Sequence, residues 1–207
     1  MSNASHMSRA KKRVAVFVSG GGTNLQVLLD AQQTGAIASG EIVVVIASNV
    51  GAYALERAAK AGVPTVVVPR KELSLQEFEA RCLAVLEEYQ VDFMVTAGFM
   101  TIFSEAFIAK FPNRMINVHP ALIPSFCGKG FYGLRVHEAA LERGVKLTGA
   151  TVHFVNEICD GGPIILQKAV EVLPGDTPEI LQRRVMEQAE WVLLPQALEM
   201  VCKGEAV

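Results

Sequence analysis

The sequence predicts an α/β fold: a Rossmann-like, mostly parallel sheet flanked by helices, with an antiparallel pair of strands near the C-terminal end and a long C-terminal helix. Three observations predict it. Short apolar runs alternate with segments of helical periodicity, which is typical of βαβ units. A glycine-rich turn joins the first apolar run to the first helical segment. The loop between the last two strands is short enough to join antiparallel neighbours.

The composition is that of a folded domain. The chain has 207 residues, of which 51% are hydrophobic and 19% charged, so it can bury a sizeable core. The net charge is −2 and there is no long basic run beyond residues 9–13, which argues against nucleic acid as a main partner. No apolar run approaches the ~20 residues of a membrane span, so we expect no membrane association.

The cysteines and the first residues bear on compartment and processing. The four cysteines stand singly in the sequence: Cys82, Cys127, Cys159 and Cys202. None forms a C-x-x-C pair, so neither a zinc site nor a disulfide framework is implied, and reduced thiols in the cytoplasm are the simplest interpretation. Residues 1–6 are typical of an expression-tag remnant, which predicts a native start at Met7.

The first strand leads into a candidate phosphate site. Residues 14–19 are almost continuously apolar, as expected of a strand buried on both faces, and residues 19–24 read SGGGTN. Leu25, Leu28 and Leu29 then mark a helix. A glycine-rich turn before a helix presents free backbone N–H groups at its positive end, which favours a phosphate. The alternative is a tight turn that needs glycine only for its dihedral angles.

The pattern does not fit the common nucleotide-binding loops. No Gly-Lys-Ser/Thr follows, so this is not a Walker A loop. Gly20 and Gly22 fit a dinucleotide fingerprint, but Leu25 holds its third glycine position. The second strand, residues 42–47, ends at Ser48 where a ribose-binding acid is expected. The loop therefore favours a small phosphomonoester over NAD.

The alternation of helices and strands continues along the chain. Gly62 is expected to end the second helix, and Ser74 with Glu77 forms a capping box for the third. The predicted helices are residues 53–61, 75–89, 104–110 and 134–143, and the predicted strands are residues 65–68, 93–97, 115–119, 148–155 and 164–172. Thr177 caps a final helix that reaches about Lys203 and is kinked or broken near Pro195.

Polar side chains at the ends of strands form the candidate catalytic site. Asn117 and His119 lie two residues apart, so they point to the same face while Val118 turns into the core. Pro120 ends the strand, and ligands of open α/β sheets bind at such carboxyl ends. The alternative is a buried Asn and His that satisfy loop carbonyls. Asp160 is in the loop between the last two strands and could equally be an ordinary turn aspartate.

Several motifs together resemble the phosphoribosylglycinamide formyltransferase family of folate-dependent formyltransferases. The similar segments are residues 19–25 (SGGGTNL), 97–100 (AGFM), 117–124 (NVHPALIP), 149–155 (GATVHFV) and 160–165 (DGGPII). They occur in the family's order and at compatible spacing. The Asn-x-His-Pro and Asp-Gly-Gly motifs are shared by folate-dependent formyltransferases generally, whereas the glycine-rich loop narrows the resemblance to this family.

The resemblance implies a reaction and a catalytic centre. The family transfers a formyl group from 10-formyltetrahydrofolate, as co-substrate, to the amine of glycinamide ribonucleotide in purine (IMP) biosynthesis, without a metal. Asn117 would donate its amide to the developing oxyanion, and His119 would supply or shuttle a proton. Asp160 would keep His119 charged by raising its pKa.

The resemblance also implies binding residues. Gly22, Thr23 and Asn24 would hold the phosphate of the ribonucleotide, and Glu190 its ribose hydroxyls. The residues implied to bind folate are Met100, Thr101, Ile102, Phe103, Asn117, Asn156 and Asp160. The sequence departs from the family pattern in places: Thr101 replaces a common Arg, and the register near Met186 is off by about one residue. The loop at residues 128–134 is also longer than in many members.

The predicted organisation is a single formyltransferase domain over residues 7–207, acting on small molecules as a monomer or homodimer. Residues 7–110 would form the phosphate-binding half, and residues 111–207 the folate-binding and catalytic half. The nearest alternative is a 10-formyltetrahydrofolate hydrolase, which passes the formyl group to water, or another formyltransferase of this family. A phosphate-binding module without catalysis would not need Asn117, His119 and Asp160 together.

Overall fold

The fold is a seven-stranded mixed sheet in the order β3-β2-β1-β4-β5-β6-β7, seen in a computed structural model that describes residues 11–206. The strands are β1 (Lys12–Val18), β2 (Gly40–Ala47), β3 (Thr65–Val67), β4 (Phe93–Thr96), β5 (Met115–His119), β6 (Leu147–Phe154) and β7 (Ile164–Glu171). The first five strands are parallel, and β6 and β7 are antiparallel to their neighbours. The predicted fold class is confirmed. The expected tag at residues 1–6 and the start at Met7 lie outside the described residues.

Helices cover both faces of the sheet. They are α1 (Thr23–Thr34), α2 (Ala54–Lys60), α3 (Leu75–Glu88), α4 (Glu105–Ile108), α5 (Leu134–Arg143), α6 (Pro178–Val185) and α7 (Trp191–Lys203). The predicted capping box is present, because the Ser74 hydroxyl accepts from the Glu77 N–H at 3.2 Å and Glu77 accepts from the Ser74 N–H at 2.9 Å. Gly62 follows α2 with φ +71°, a left-handed conformation that suits glycine.

Two helix predictions were wrong in detail. The helix predicted at residues 104–110 is a single turn, α4, that starts after the Ser104 cap. The C-terminal helix is interrupted at a π-helical turn, Met186–Glu190, and Pro195 lies inside α7 instead of at a break. Pro195 lacks only the N–H bond to Trp191, at the start of α7. The backbone irregularity therefore falls on the preceding turn.

The core consists of two apolar layers, one on each face of the sheet. On one face, Leu25 and Leu28 of α1 pack with Leu194 and Leu198 of α7 against alternate residues of β1. On the other face, Phe78 of α3 packs among residues of the same strand that point the opposite way. Burial on both faces explains why β1 reads as a continuous apolar run.

The sheet topology brings the candidate site residues to one edge. The parallel strands β1, β4 and β5 all end there, and β6 starts back in the opposite sense beside β5. The register pairs Asn117 with His153 and His119 with Thr151. Within residues 11–206, no helix has the length and hydrophobicity needed to cross a membrane.

Candidate active site

A cavity of about 350 Å³ opens at the carboxyl ends of β4 and β5. Its walls include the three residues predicted to be catalytic, Asn117, His119 and Asp160. They come from β5 and from the loop between β6 and β7, so the sheet register and one loop bring them together. Among the described residues, no group of three or more His, Cys, Asp or Glu side chains is placed to hold a metal ion.

His119 has a polar neighbour at each ring nitrogen. Its side chain is on the last residue of β5 and only 4% of the residue is exposed. The Nε2–H group donates to the carbonyl oxygen of Phe126 at 2.8 Å. Nδ1 lies 3.6 Å from Oδ2 of Asp160. A neutral His119 therefore presents an acceptor nitrogen beside a carboxylate, and that nitrogen can take up a proton.

Asp160 lies between two imidazoles. Its Oδ2 accepts from the Gly128 N–H at 2.8 Å, and its Oδ1 lies 3.5 Å from Nε2 of His153. Burial raises the pKa of Asp160, but the contact with His153, the charge of His119 and the Gly128 N–H outweigh it. The net effect lowers the pKa below its ordinary value, so this carboxyl is ionised at neutral pH.

The pKa of His119 shifts in the direction opposite to the one predicted. Burial lowers it, and the charge of Asp160 and the bond to Phe126 only partly offset that effect, while His153 lowers it further. The expectation that His119 titrates above its ordinary value is therefore wrong. Burial decides the pKa shift at His119 but not at Asp160. His119 is buried more deeply, whereas the ionised form of Asp160 is also stabilised by the Gly128 N–H.

The amide of Asn117 is oriented by its neighbours on both sides. The Thr96 hydroxyl of β4 donates to Oδ1 at 2.7 Å, and Nδ2 lies 3.3 Å from Nε2 of His153 on β6. The other ring nitrogen of His153 donates to the Phe154 carbonyl at 2.8 Å, and Nε2 faces both the Asn117 amide and Oδ1 of Asp160. One N–H of Asn117 remains for a ligand in the cavity.

Sequence reasoning did not identify His153 as a site residue. The alternation of Thr151, His153 and Val155 on one face was visible in the sequence. The missing information was the pairing of His153 with Asn117 across the β5–β6 ladder. The same applies to Thr96, which reaches Asn117 from β4.

Gly22 of the glycine-rich loop lies directly against helix α2. Gly22 has φ +71°, and a Cβ added there would lie 2.6 Å from the Cβ of Ala54. Its lack of a side chain therefore serves the approach of α2 to α1. A Cβ on Gly20 or Gly21 would meet nothing within 4 Å. The open side of the loop is therefore at these two residues, beside the N-terminus of α1, where Thr23 lies.

Ser19 connects this loop to the strand ends beside it. Its hydroxyl lies 2.8 Å from that of Ser48 at the end of β2 and accepts the Met100 N–H at 2.9 Å. Met100 follows β4 and lines the cavity. The phosphate-loop candidate and the folate-loop candidate are therefore joined by a direct hydrogen bond.

Asn24 and Glu190 form a buried pair on the cavity wall. Asn24 donates from Nδ2 to Oε2 of Glu190 at 2.9 Å, and Glu190 is 6% exposed. Burial raises the pKa of Glu190 to about 6, although the bond from Asn24 lowers it. Glu190 ends the π-helical turn, and such turns accommodate one additional residue in a helix. The turn begins at Met186, where the sequence is out of register with the family pattern by about one residue.

The residues implied to bind folate all line the same cavity. Met100 and Ile102, together with Ile158, contribute exposed apolar side chains to its lining, and Thr101 and Asn156 also line it. Such exposed apolar groups favour a ligand with a flat apolar part. Phe103 also borders the cavity, but its ring stacks on Phe107 at 4.2 Å between centroids and belongs to the core.

Sequence reasoning also did not identify a second histidine of the cavity lining, His137. His137 of α5 is 0% exposed, and neither ring nitrogen has a hydrogen-bond partner among the described residues. Burial, with a smaller contribution from the charge of His119, lowers its pKa to about 4. His137 is therefore neutral at physiological pH. Its helical spacing alone could not separate it from a packed core residue.

A mostly parallel α/β sheet with an amide, an imidazole and a carboxylate around one cavity is an arrangement typical of enzymes that use general acid–base chemistry. The chain belongs to the formyl transferase family, which it matches over residues 12–198. That match covers every strand and the catalytic candidates.

Similar proteins carry more specific names. The chain is 39% identical over 202 residues to a chloroplastic phosphoribosylglycinamide formyltransferase of Arabidopsis thaliana, covering 97% of this chain and 68% of the relative. It is 42% identical over 205 residues to the trifunctional purine biosynthetic protein adenosine-3 of Homo sapiens, covering 99% of this chain and 20% of the relative. The chain thus spans about a fifth of that relative's length.

Solved structures with the same fold have related names. The crystal structure of glycinamide ribonucleotide transformylase 1 from Symbiobacterium toebii superposes with a TM-score of 0.87 at 42% identity, over 94% of this chain and 89% of that one. Phosphoribosylglycinamide formyltransferase from Brucella melitensis superposes with a TM-score of 0.85 at 40% identity, over 96% of this chain and 99% of that one.

Proposed function

We propose that this protein transfers a formyl group from 10-formyltetrahydrofolate to the amine of glycinamide ribonucleotide, a step of purine biosynthesis. Members of the family with 39% and 42% identity carry names for this activity. The proposal includes a single formyltransferase domain over residues 7–207, small-molecule substrates, a cytoplasmic location and a monomeric or homodimeric state. The two halves divide at residue 110, between the phosphate loop and the catalytic strand.

The observation that carries the proposal is that both candidate subsites border one cavity. Asn24, in the first turn of α1, lines the same cavity as Asn117, His119 and Asp160. A phosphorylated acceptor held by the N–H groups of Gly22, Thr23 and Asn24 can therefore reach the catalytic centre. Buried Glu190, beside Asn24, is suited to accept hydrogen bonds from ribose hydroxyls.

The catalytic residues divide the chemistry between them. The acceptor amine attacks the formyl carbon, a C–N bond forms and negative charge develops on the formyl oxygen. The bond between the formyl carbon and the folate nitrogen breaks when this charge collapses back. The free N–H of Asn117 donates to that oxygen. His119, which is neutral because burial lowers its pKa, accepts the amine proton and passes a proton to the leaving folate nitrogen. Asp160 stabilises the imidazolium that forms between these two steps.

The proposal also assigns a folate site to the cavity lining at residues 100–103 and 156–160, called the folate wall below. Met100, Ile102 and the Asn156–Asp160 segment would take the pterin and its benzoyl group, with Thr101 and the edge of Phe103 beside them. The apolar exposure of Met100 and Ile102 supports this placement.

A formyl-transfer assay with and without the amine acceptor tests the proposal. Purified protein is incubated with 10-formyltetrahydrofolate, and product is followed with and without glycinamide ribonucleotide. We expect formylation of the amine and little loss of formyl group without it. Deformylation at the full rate without an amine would favour the hydrolase, and no turnover at all would favour a binding module.

A further inference from the structure

The charged side chains that line the cavity are mostly acidic. Three carboxyl groups line it, those of Glu157, Asp160 and Glu190. Lys129 is the one lysine or arginine among the lining side chains that the structure describes. An anionic ligand that enters here meets net negative charge unless Lys129 takes part.

Lys129 lies next to a residue that contacts Asp160, in the loop between β6 and β7. The residue before it, Gly128, donates its N–H to Oδ2 of Asp160 at 2.8 Å. Gly128 and Gly130 have φ +87° and +99°, left-handed values that glycine adopts without strain. Lys129 is exposed and makes neither an ion pair nor a side-chain hydrogen bond within residues 11–206. Its ammonium group is therefore free to meet a ligand.

The acceptor phosphate does not need this charge. Its candidate site has the N-terminus of α1, and Arg57 donates from Nε to the Gly21 carbonyl at 2.8 Å beside it. The folate wall lacks a comparable cation, since Met100, Thr101 and Ile102 are all neutral. A folate ends in a glutamate with two carboxylates, which the carboxyl groups of the cavity would repel.

We propose that Lys129 binds the glutamate carboxylates of the folate co-substrate, so that the loop at residues 128–133 supplies the cation that the Met100–Phe103 wall lacks. The inference rests on the proposed function. The contact is an exposed ion pair, so it contributes a modest part of the affinity and weakens with salt. It makes Lys129 a residue that distinguishes ligands with a glutamate tail from ligands without one.

The test compares two ligands in binding and not only in turnover. Dissociation constants of tetrahydrofolate and of tetrahydropteroate, which lacks the glutamate, are measured by calorimetry for the wild type, Lys129→Met and Lys129→Arg. Lys168→Met, an exposed lysine of β7 outside the cavity lining, is the matched control. We expect Lys129→Met to weaken tetrahydrofolate about three- to fivefold and to leave tetrahydropteroate unchanged. Lys129→Arg and Lys168→Met should bind both ligands as the wild type does.

The outcomes separate this inference from the proposed function. If Lys129→Met affects both ligands equally, or neither, while the wild type still formylates glycinamide ribonucleotide, the assignment of Lys129 is overturned and the function stands. If the wild type binds neither ligand and transfers no formyl group, both are overturned. A tetrahydrofolate affinity that does not fall between 50 and 300 mM salt would also contradict an ion pair at Lys129.

Discussion

The side-chain amide of Asn24 donates to the carboxylate of Glu190 at 2.9 Å, across 166 residues of sequence. This bond joins the phosphate-loop helix to the π-helical turn in the C-terminal helix. Asn24 Oδ1 is buried without a partner among the described residues. The pair therefore keeps unused hydrogen-bonding capacity at the cavity wall, which is consistent with a polar ligand there.

Glu190 should make the stability of the protein depend on pH. Its pKa rises from the ordinary value of 4.5 to about 6 because the carboxyl is buried. The folded state therefore binds the proton more tightly than the unfolded state, and the free energy of unfolding falls as pH rises from about 4.5 to 6. Above that window the loss is constant, at about 2 kcal/mol at most.

Glu190→Gln should remove that loss, because a neutral amide can still accept from Asn24. We expect the variant to unfold at a higher temperature than the wild type at pH 7.5 and at the same temperature at pH 4. Thermal unfolding followed by circular dichroism at both values checks this. Glu187→Gln, on the exposed side of the same turn, is the control. Equal stability of Glu190→Gln and wild type at pH 7.5 would argue that the carboxyl is hydrated.

The catalytic assignment predicts a loss in turnover and not in binding. His119→Ala and Asn117→Ala should each lower kcat ~100-fold or more, because both groups act on charge present only in the transition state. Folate affinity should change little. Steady-state kinetics together with equilibrium binding of tetrahydrofolate measures both effects. A variant that retained most of its turnover would remove that residue from the catalytic step.

The titration of His119 is a separate prediction. Its pKa should lie below the ordinary value because burial outweighs the charge of Asp160. In Asp160→Asn that charge is lost, so the pKa should fall further. The acidic limb of the kcat/KM profile should follow it to lower pH, since the neutral imidazole is the base.

NMR of the imidazole carbons gives the His119 pKa directly, with Asp30→Asn on the exposed face of α1 as a charge-matched control. A His119 pKa that rises or stays constant in Asp160→Asn would contradict the assignment of Asp160.

Two substitutions in the glycine-rich loop should have different effects, one on stability and the other on substrate binding. Gly22→Ala should lower the free energy of unfolding by about 2 kcal/mol or more, because φ is +71° there and the new Cβ meets Ala54. Gly21→Ala places its Cβ in open space and should leave stability unchanged.

Gly21→Ala should instead raise the KM for glycinamide ribonucleotide, since its methyl group enters the space beside the phosphate site. A dephosphorylated acceptor should not distinguish it from the wild type. Unfolding curves and KM values for both acceptors check these expectations. An unchanged KM in Gly21→Ala would place the phosphate elsewhere.

Local patterns were sufficient for much of the fold and for the core of the candidate site. The bounds of β5 (Met115–His119) and α5 (Leu134–Arg143) match the prediction, because apolar runs, Pro120 and Gly144 define them locally. The spacing of Asn117 and His119 in a strand predicted that they face one side, and both line the cavity. Asp160, from a distant loop, was named by its resemblance to a motif.

Properties that depend on neighbours through space could not be predicted in this way. His153 reaches Asn117 only through the antiparallel register of β5 and β6, and Gly22 is required by Ala54 of another helix. The direction of the His119 pKa shift was predicted wrongly, because the sequence indicates a nearby carboxylate but not the degree of burial.

The sequence by itself thus determined which residues form strands and helices, and which side chains share the face of a strand, since dihedral preferences and periodicity act over a few residues. Only the tertiary structure decided the partners of Asn117, the pairing of Asn24 with Glu190 and the protonation of His119. Desolvation and hydrogen bonding between distant segments are sums over atoms that only the folded chain brings together.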